Sequence, residues 1–333
     1  MTLLIAETAW HHQGDYEFMV GLLNSICQES DADVIKLHIS LDLDEYMSRD
    51  HTAYETLKSW MFSPKQWEEL IGIVRLSGKG LMLLLNDTSA IEFATDFKPE
   101  IIELHSVCLN VPSLQNAVLD KFGHRTPVVI GVGGCSLQEV DAAVRAFEER
   151  DVILMFGFQN YPTRYEDVNL SKIRKIQRLY ADKRFGYADH TGWDEPSNDL
   201  ITLMVAANGM DYVEKHVTTV YGQERCDFAA AVSIEMFNDL AKKIKLIDKI
   251  TGDGSMALNA GEKSYSKYGP MKMAGVARNN ISEGSCLEHE SFLFCRTGQK
   301  TAMSQIDITE MIGKKIIKDI QQGQVIDWYH FAG

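Results

Sequence analysis

The chain has 333 residues, 45% of them hydrophobic and 24% charged, with a formal net charge of −14. That length exceeds what one hydrophobic core usually serves, so a large domain with a small companion is expected. The acidic total argues against a general nucleic-acid partner, which needs a basic face to displace counterions.

The opening residues, MTLLIAETAWHHQGD, hold no basic leader, and no run approaches the roughly 18 apolar residues of a membrane span. Six cysteines (Cys27, Cys108, Cys135, Cys226, Cys286 and Cys295) form no CxxC pair. The expectation is a cytoplasmic protein with reduced thiols and no membrane partner.

Short runs rich in Val, Ile and Leu alternate with longer amphipathic stretches, the rhythm of a parallel sheet with crossover helices. In chain order the runs are TLLIAETA (2–9), DVIKLHI (33–39), GLMLLLN (80–86), IIELHSV (101–107), PVVIGVG (127–133), VILMFGF (152–158), FGYADH (185–190) and YVEKHVT (212–218). Helices are predicted over 15–30, 136–149, 167–182, 196–209 and 232–250, and Ser136 with Glu139 makes a capping box. Eight such units in about 250 residues predict a (β/α)8 barrel. A doubly wound open sheet is the competing architecture, but no GxGxxG lies between the first strand and first helix. The connection at 40–60 is unusually long, and long loops after barrel strands lie at the catalytic mouth.

Residues 1–250 are therefore assigned to the barrel, and the Gly- and Ser-rich stretch 251–271 to a linker. Residues 272–333, with short alternating runs and Gly at the turns, are assigned to a small, mostly β module.

Ionisable residues crowd the C-terminal ends of the predicted strands. They are Glu7 and His12; Lys36 and His38; Glu103, His105 and Ser106; Tyr161; Asp189 and His190; and Glu214, Lys215 and His216. Strands buried on both faces tolerate charges only when these are paired or functional. His190 and His216 end neighbouring strands, so both imidazoles are expected in one mouth. Two histidines with nearby oxygens suit a divalent cation in an open, partly hydrated site, or else a simple pair of core hydrogen-bond partners. Glu7, Lys36, Asp189 and Lys215 are taken as the catalytic set. GVGGCS, a strand-to-helix turn, is a candidate phosphate cradle through its backbone amides.

The ordered series AETAWHHQGD, ADVIKLH, the YP of FQNYPT, GYADHTGW and VEKHVT, followed by FCRTGQ and IGKKIIKDIQQGQVI, resembles the sialic acid synthase family over nearly the whole chain. The resemblance implies a barrel followed by an antifreeze-like domain, and condensation of phosphoenolpyruvate with an N-acetylated amino sugar. It also implies a divalent manganese or magnesium ion on His190 and His216, and a homodimer whose small domains close the partner's site. By motif position it places the sugar on Glu7, Tyr161 and Asp227, and phosphoenolpyruvate on Lys36 and Ser106. Gln159 and Arg296 join the substrate-binding set.

The departures are as informative. Glu103 stands where a phosphate-binding lysine belongs, and Cys108 where a proton-transferring glutamate belongs. Leu84, Gly131 and Ala188 replace hydroxyl residues, and His38 replaces a glutamine. Arg164 and Lys215 are candidate substitutes for the lost phosphate contacts. Three functions are therefore open: a synthase with a rebuilt phosphate site; a metal-dependent aldolase, lyase or isomerase acting without phosphoenolpyruvate; or a non-catalytic sugar-acid binder.

Overall fold

The computed structural model describes residues 2–157 and 160–332. Eight parallel strands run in sequence order: β1 (Leu3–Glu7), β2 (Val34–Ile39), β3 (Gly80–Leu85), β4 (Ile101–Leu104), β5 (Val128–Gly131), β6 (Val152–Phe156), β7 (Arg184–Asp189) and β8 (Tyr212–Thr218). Pairing of β1 with both β2 and β8 closes the cylinder. A three-residue strand, β9 (Ala231–Ser233), adds to β8. Helices fill the connections, as the alternating apolar runs and amphipathic stretches dictate.

Strand period two sorts the side chains. Ile5, Val34, Met82, Ile101, Val129, Ile153, Met155 and Tyr212 fill the inside of the barrel's N-terminal half. Leu4, Ala6, Ile35, Leu37, Leu81, Leu83, Ile130 and Val213 point the other way and pack under the helices. Above the apolar inner layer the inward positions become ionisable: Glu7, Lys36, His38, Glu103, Glu214 and His216. The barrel is thus dry at one end and charged at the other.

Helix boundaries are shorter than the periodicity suggests. The predicted 136–149 helix spans Leu137–Ala146 and keeps its capping box, with Ser136 N donating to Glu139 at 2.7 Å. The predicted 167–182 helix spans Leu170–Leu179, and a 3₁₀ turn at Tyr165–Asp167 takes up its expected start. The long 40–60 connection folds as two short helices, Leu43–Tyr46 and Tyr54–Trp60.

Two glycines fix close approaches. Gly157, just after β6, has φ of +115°, and a Cβ there would lie 1.9 Å from the Ala188 carbonyl oxygen. Gly157→Ala is expected to destabilise the barrel by at least about 2 kcal/mol in urea unfolding, through combined strain and clash. Unchanged stability would refute this packing. Gly131 closes β5 against the β4 loop, where a Cβ would lie 2.7 Å from Ser106 N.

The chain divides into two compact units, Met1–Gly252 and Asp253–Gly333. The second holds a hairpin of β10 (Ala274–Ala277) and β11 (Phe292–Cys295). Its own core contains Ile281, Leu287, Phe292, Met303, Ile308, Ile316, Ile320 and Ile326. Among the described residues no helix is long and apolar enough to cross a membrane.

Candidate active site

The C-terminal ends of the strands enclose a cavity of about 290 Å³. Glu7, Lys36, Ser106, Tyr161, His190, His216 and Asp227 all line it, so most of the residues expected at the site share one space. Gln159 lies outside the described residues. Arg296 belongs to the second unit, where its guanidinium donates to the Pro270 carbonyl at 3.1 and 2.7 Å.

Lys36 is the centre of the charge arrangement. Its ammonium lies 3.1 Å from Glu7, 2.7 Å from Glu103 and 2.9 Å from Glu214, with all four side chains almost fully buried. The register explains the cluster: Glu7 pairs with Lys36 across β1 and β2 and with His216 across β1 and β8. Burial would lower the Lys36 ammonium, but Glu103, Glu214 and Glu7 hold it well above the ordinary lysine value. Burial would raise Glu7, yet Lys36 and hydrogen bonds with Glu214 and His216 hold its carboxyl well below the usual range. Burial raises both Glu103 and Glu214; Lys36 opposes each shift and the Glu7 charge reinforces it. One ammonium faces three adjacent carboxyls, so Glu103 and Glu214 take up protons more readily than ordinary glutamates. The ammonium meets Glu103 at Oε2, the shortest of its three carboxyl contacts.

The histidines stand opposite. The His190 and His216 rings are 4.9 Å apart in an edge-to-face arrangement, with Tyr161 beside both. His190 Nδ1 lies 3.0 Å from the Ala188 carbonyl. A carbonyl only accepts, so Nδ1 carries the proton and Nε2 is the basic nitrogen. Burial, with His216 adding to it, takes the His190 imidazole down to about 3 and leaves it neutral. His216 Nε2 faces Glu7 at 3.5 Å, and its buried Nδ1 has no partner among the described residues. Two adjacent imidazoles, one of them with an orphaned ring nitrogen, fit the coordination chemistry of a divalent ion. No cluster of three or more His, Cys, Asp or Glu forms a closed metal cage among the described residues. An ion here would need water or substrate oxygens to complete its shell.

Tyr161 donates its hydroxyl to the Asp227 carbonyl, and the Asp227 carboxylate accepts from Trp10 N at 3.0 Å. These contacts tie the loops after β1, β6 and β8 together around the cavity. His38 and His105 stack 6.5 Å apart and line the same cavity. Burial takes His38 to about 3 and His105 to about 4, so neither adds positive charge at neutral pH.

Four residues singled out in the sequence lie outside the lining of the mouth cavity. Asp189 and Lys215 occupy the opposite strand parity from Ala188 and Glu214, and so face the helix layer instead of the mouth. There Lys215 Nζ donates to Asp189 at 3.0 Å and to the Asn198 carbonyl at 3.2 Å, while Thr191 and Thr202 complete the Asp189 shell. The pair is buried and neither side chain lines the mouth cavity. Asp189→Asn should destabilise the barrel by about 3–5 kcal/mol by leaving Lys215 buried and unpaired. Protein that remains folded should keep its ligand affinity in the mouth by calorimetry, whereas a catalytic Asp189 would lose it. Arg164 is exposed and Cys108 lines a different cavity, beside Tyr46 and His51, so neither enters the mouth. Burial also pushes the Cys108 thiol up to about 11, which keeps it protonated. Conversely Glu214, noted on β8 but given no role, proves central; its shared parity with His216 was the available signal.

A profile of the NeuB family matches residues 28–256. An uncharacterised protein of Methanocaldococcus jannaschii is 27% identical, covering 100% of this chain and 95% of its own. The N,N'-diacetyllegionaminic acid synthase of Legionella pneumophila is 24% identical, covering 98% of this chain and 94% of its own. Among solved structures, a putative spore coat polysaccharide biosynthesis protein E from Chromobacterium violaceum superposes with a TM-score of 0.82 at 20% identity, covering 98% of each chain. That likeness concerns the fold.

Proposed function

The chain belongs to the NeuB family, and from that premise we propose that it forms a carbon–carbon bond in nonulosonic acid synthesis. It would join the aldehyde carbon of an N-acetylated amino sugar to a three-carbon enolpyruvyl unit. The observation that carries this reading is one cavity in which His190 and His216 face Glu7, Tyr161 and Asp227. A relative matched along nearly all of both chains is named an N,N'-diacetyllegionaminic acid synthase.

In this reading His190 and His216 would hold a manganese or magnesium ion, which would supply Lewis-acid polarisation of the aldehyde carbonyl. Glu7 bridges the two halves of the site, touching both His216 and Lys36. Asp227 and Tyr161 offer oxygen partners to sugar hydroxyls, and Ser106 offers a hydroxyl on the donor side. Lys36 is the cation that faces the negative charge of the three-carbon unit.

The C-terminal unit is read as an antifreeze-like lid that presents Arg296 to the partner's mouth in a cytoplasmic homodimer. Light scattering should therefore give a dimer mass at micromolar concentration; a monomer would remove the swapped lid. The reaction is tested by incubating the protein with Mn²⁺ or Mg²⁺, a panel of N-acetylated aldoses, and phosphoenolpyruvate or pyruvate. A product three carbons larger, seen by mass spectrometry, is expected. Absence of product from both donors would sink the proposal, and metal-dependent sugar binding without turnover would make the protein a binder.

A further inference from the structure

We propose that a second cavity beside the mouth is a subsite for the non-reacting end of the acceptor, shaped to take an uncharged acylamino group and to refuse a phosphate. This rests on the carbon–carbon reading above and defines its acceptor.

The first support is space. The mouth, at about 290 Å³, lies at the small end of ligand pockets, yet the reaction needs two substrates in it at once. A neighbouring cavity of about 720 Å³ lies among the connections that follow β2, β3 and β4. Tyr46 and Val107 line both, so the two share a wall. The long 40–60 connection supplies part of that wall through its first short helix, Leu43–Tyr46. An acceptor with its aldehyde at His190 and His216 can place only its far end there.

The second support is an orphaned polar atom. Asn86, just after β3, is 1% exposed, and its Nδ2 donates to His38 Nε2 at 2.7 Å. His38 lines the mouth and Asn86 lines the neighbouring cavity, so this amide stands in the partition between them. Asn86 Oδ1 has no partner among the described residues. A buried acceptor left unmatched is costly, and an N–H from a ligand would satisfy it.

The third is the lining. Met47, Val107, Val111 and Leu114 give an apolar wall on which Val107 and Val111 stay exposed. That wall suits the methyl of an acyl group whose amide N–H meets Asn86. His51 spends Nδ1 as the acceptor from Ala53 N at 3.1 Å, which leaves Nε2 to donate to the acyl oxygen. The carboxylates here are Glu45 and Asp50, and no Lys or Arg lines the cavity among the described residues. Thr88 fixes Glu45 by donating its N and Oγ1 at 2.9 and 2.7 Å. A phosphate would face both carboxylates with no counter-ion. At an effective dielectric near 20, each such repulsion at about 4 Å is of the size that decides binding.

Saturation-transfer difference titrations, with Mg²⁺ and no donor, compare N-acetylmannosamine, its derivatives with an added acetamido group at C4 or at C6, and its 6-phosphate. One diacetamido sugar should bind at least about tenfold more tightly than N-acetylmannosamine, and the phosphate at least about tenfold more weakly. In Val111→Phe, which fills the second cavity from an exposed position, the diacetamido and monoacetamido sugars should bind alike. Asp50→Lys should raise affinity for the phosphate at least about tenfold. Equal binding of all the sugars by the parent, or binding of none, would overturn the subsite, as would a preference for the phosphate. A diacetamido preference that survives Val111→Phe would place the second amide elsewhere and overturn it as well. The expected preferences with no product from any donor would support the subsite and overturn the carbon–carbon reading. Product from N-acetylmannosamine with no diacetamido preference would overturn the subsite and leave that reading intact.

Discussion

Lys36→Met should lower the stability of the barrel unit by about 3–5 kcal/mol, because it strands Glu7, Glu103 and Glu214 in a buried site without their counter-ion. For a domain of this size that corresponds to a fall in Tm of about 10 °C. The loss should depend on pH in a defined direction. In the parent, Lys36 holds the Glu7 carboxyl below its unfolded value, so Glu7 contributes stability above the ordinary carboxylate range and loses it as pH falls. Glu103 and Glu214 are raised, so their contributions run the opposite way and partly cancel that trend. Without the ammonium all three carboxyls are raised, and the variant should be weakest at pH 8 and recover toward pH 5. Thermal melts at the two pH values check this, and a loss that does not vary with pH would mean that Lys36 is not the counter-ion of the cluster.

His190→Ala and His216→Ala should each weaken Mn²⁺ binding by at least about a hundredfold in calorimetry, with loss of carbon–carbon turnover. Stability should fall much less than in Lys36→Met, since Lys36 stays in place as the counter-ion of the carboxyl cluster. If the two rings were only core partners, metal affinity would not change and the stability loss would dominate. The paired measurements therefore separate a ligand role from a packing role at each histidine.

Much of the barrel was legible because its strands are short, apolar and separated by strong helix starts. All eight predicted runs overlap an observed strand, with β7 starting one residue ahead of its run at Arg184, and the capping box at Ser136 is present. Strand ends were less legible. The fourth run extends to 107 by composition, yet β4 stops at Leu104, and a 3₁₀ turn at Ser106–Cys108 begins where the chain passes close over Gly131. That contact is long-range and has no local signature.

The candidate site was legible as a set of residues but not as a geometry. Adjacent residues on a strand face opposite layers, so Asp189 and His190, or Lys215 and His216, do not share an environment. The sequence shows all four as polar residues at strand ends. Only parity, counted from an inward residue such as Ile5 or Tyr212, sends Lys215 and Asp189 to the helices. Glu103 was legible as a lost lysine, but its new partner was not, because the contact with Lys36 spans two strands of the closed barrel.

The most direct test is anomalous scattering from a crystal soaked in Mn²⁺. A manganese peak within coordination distance of both the His190 and His216 imidazoles, on the side of the mouth cavity, is the predicted result. A site without manganese there, under conditions where the protein binds the ion elsewhere, would contradict the account.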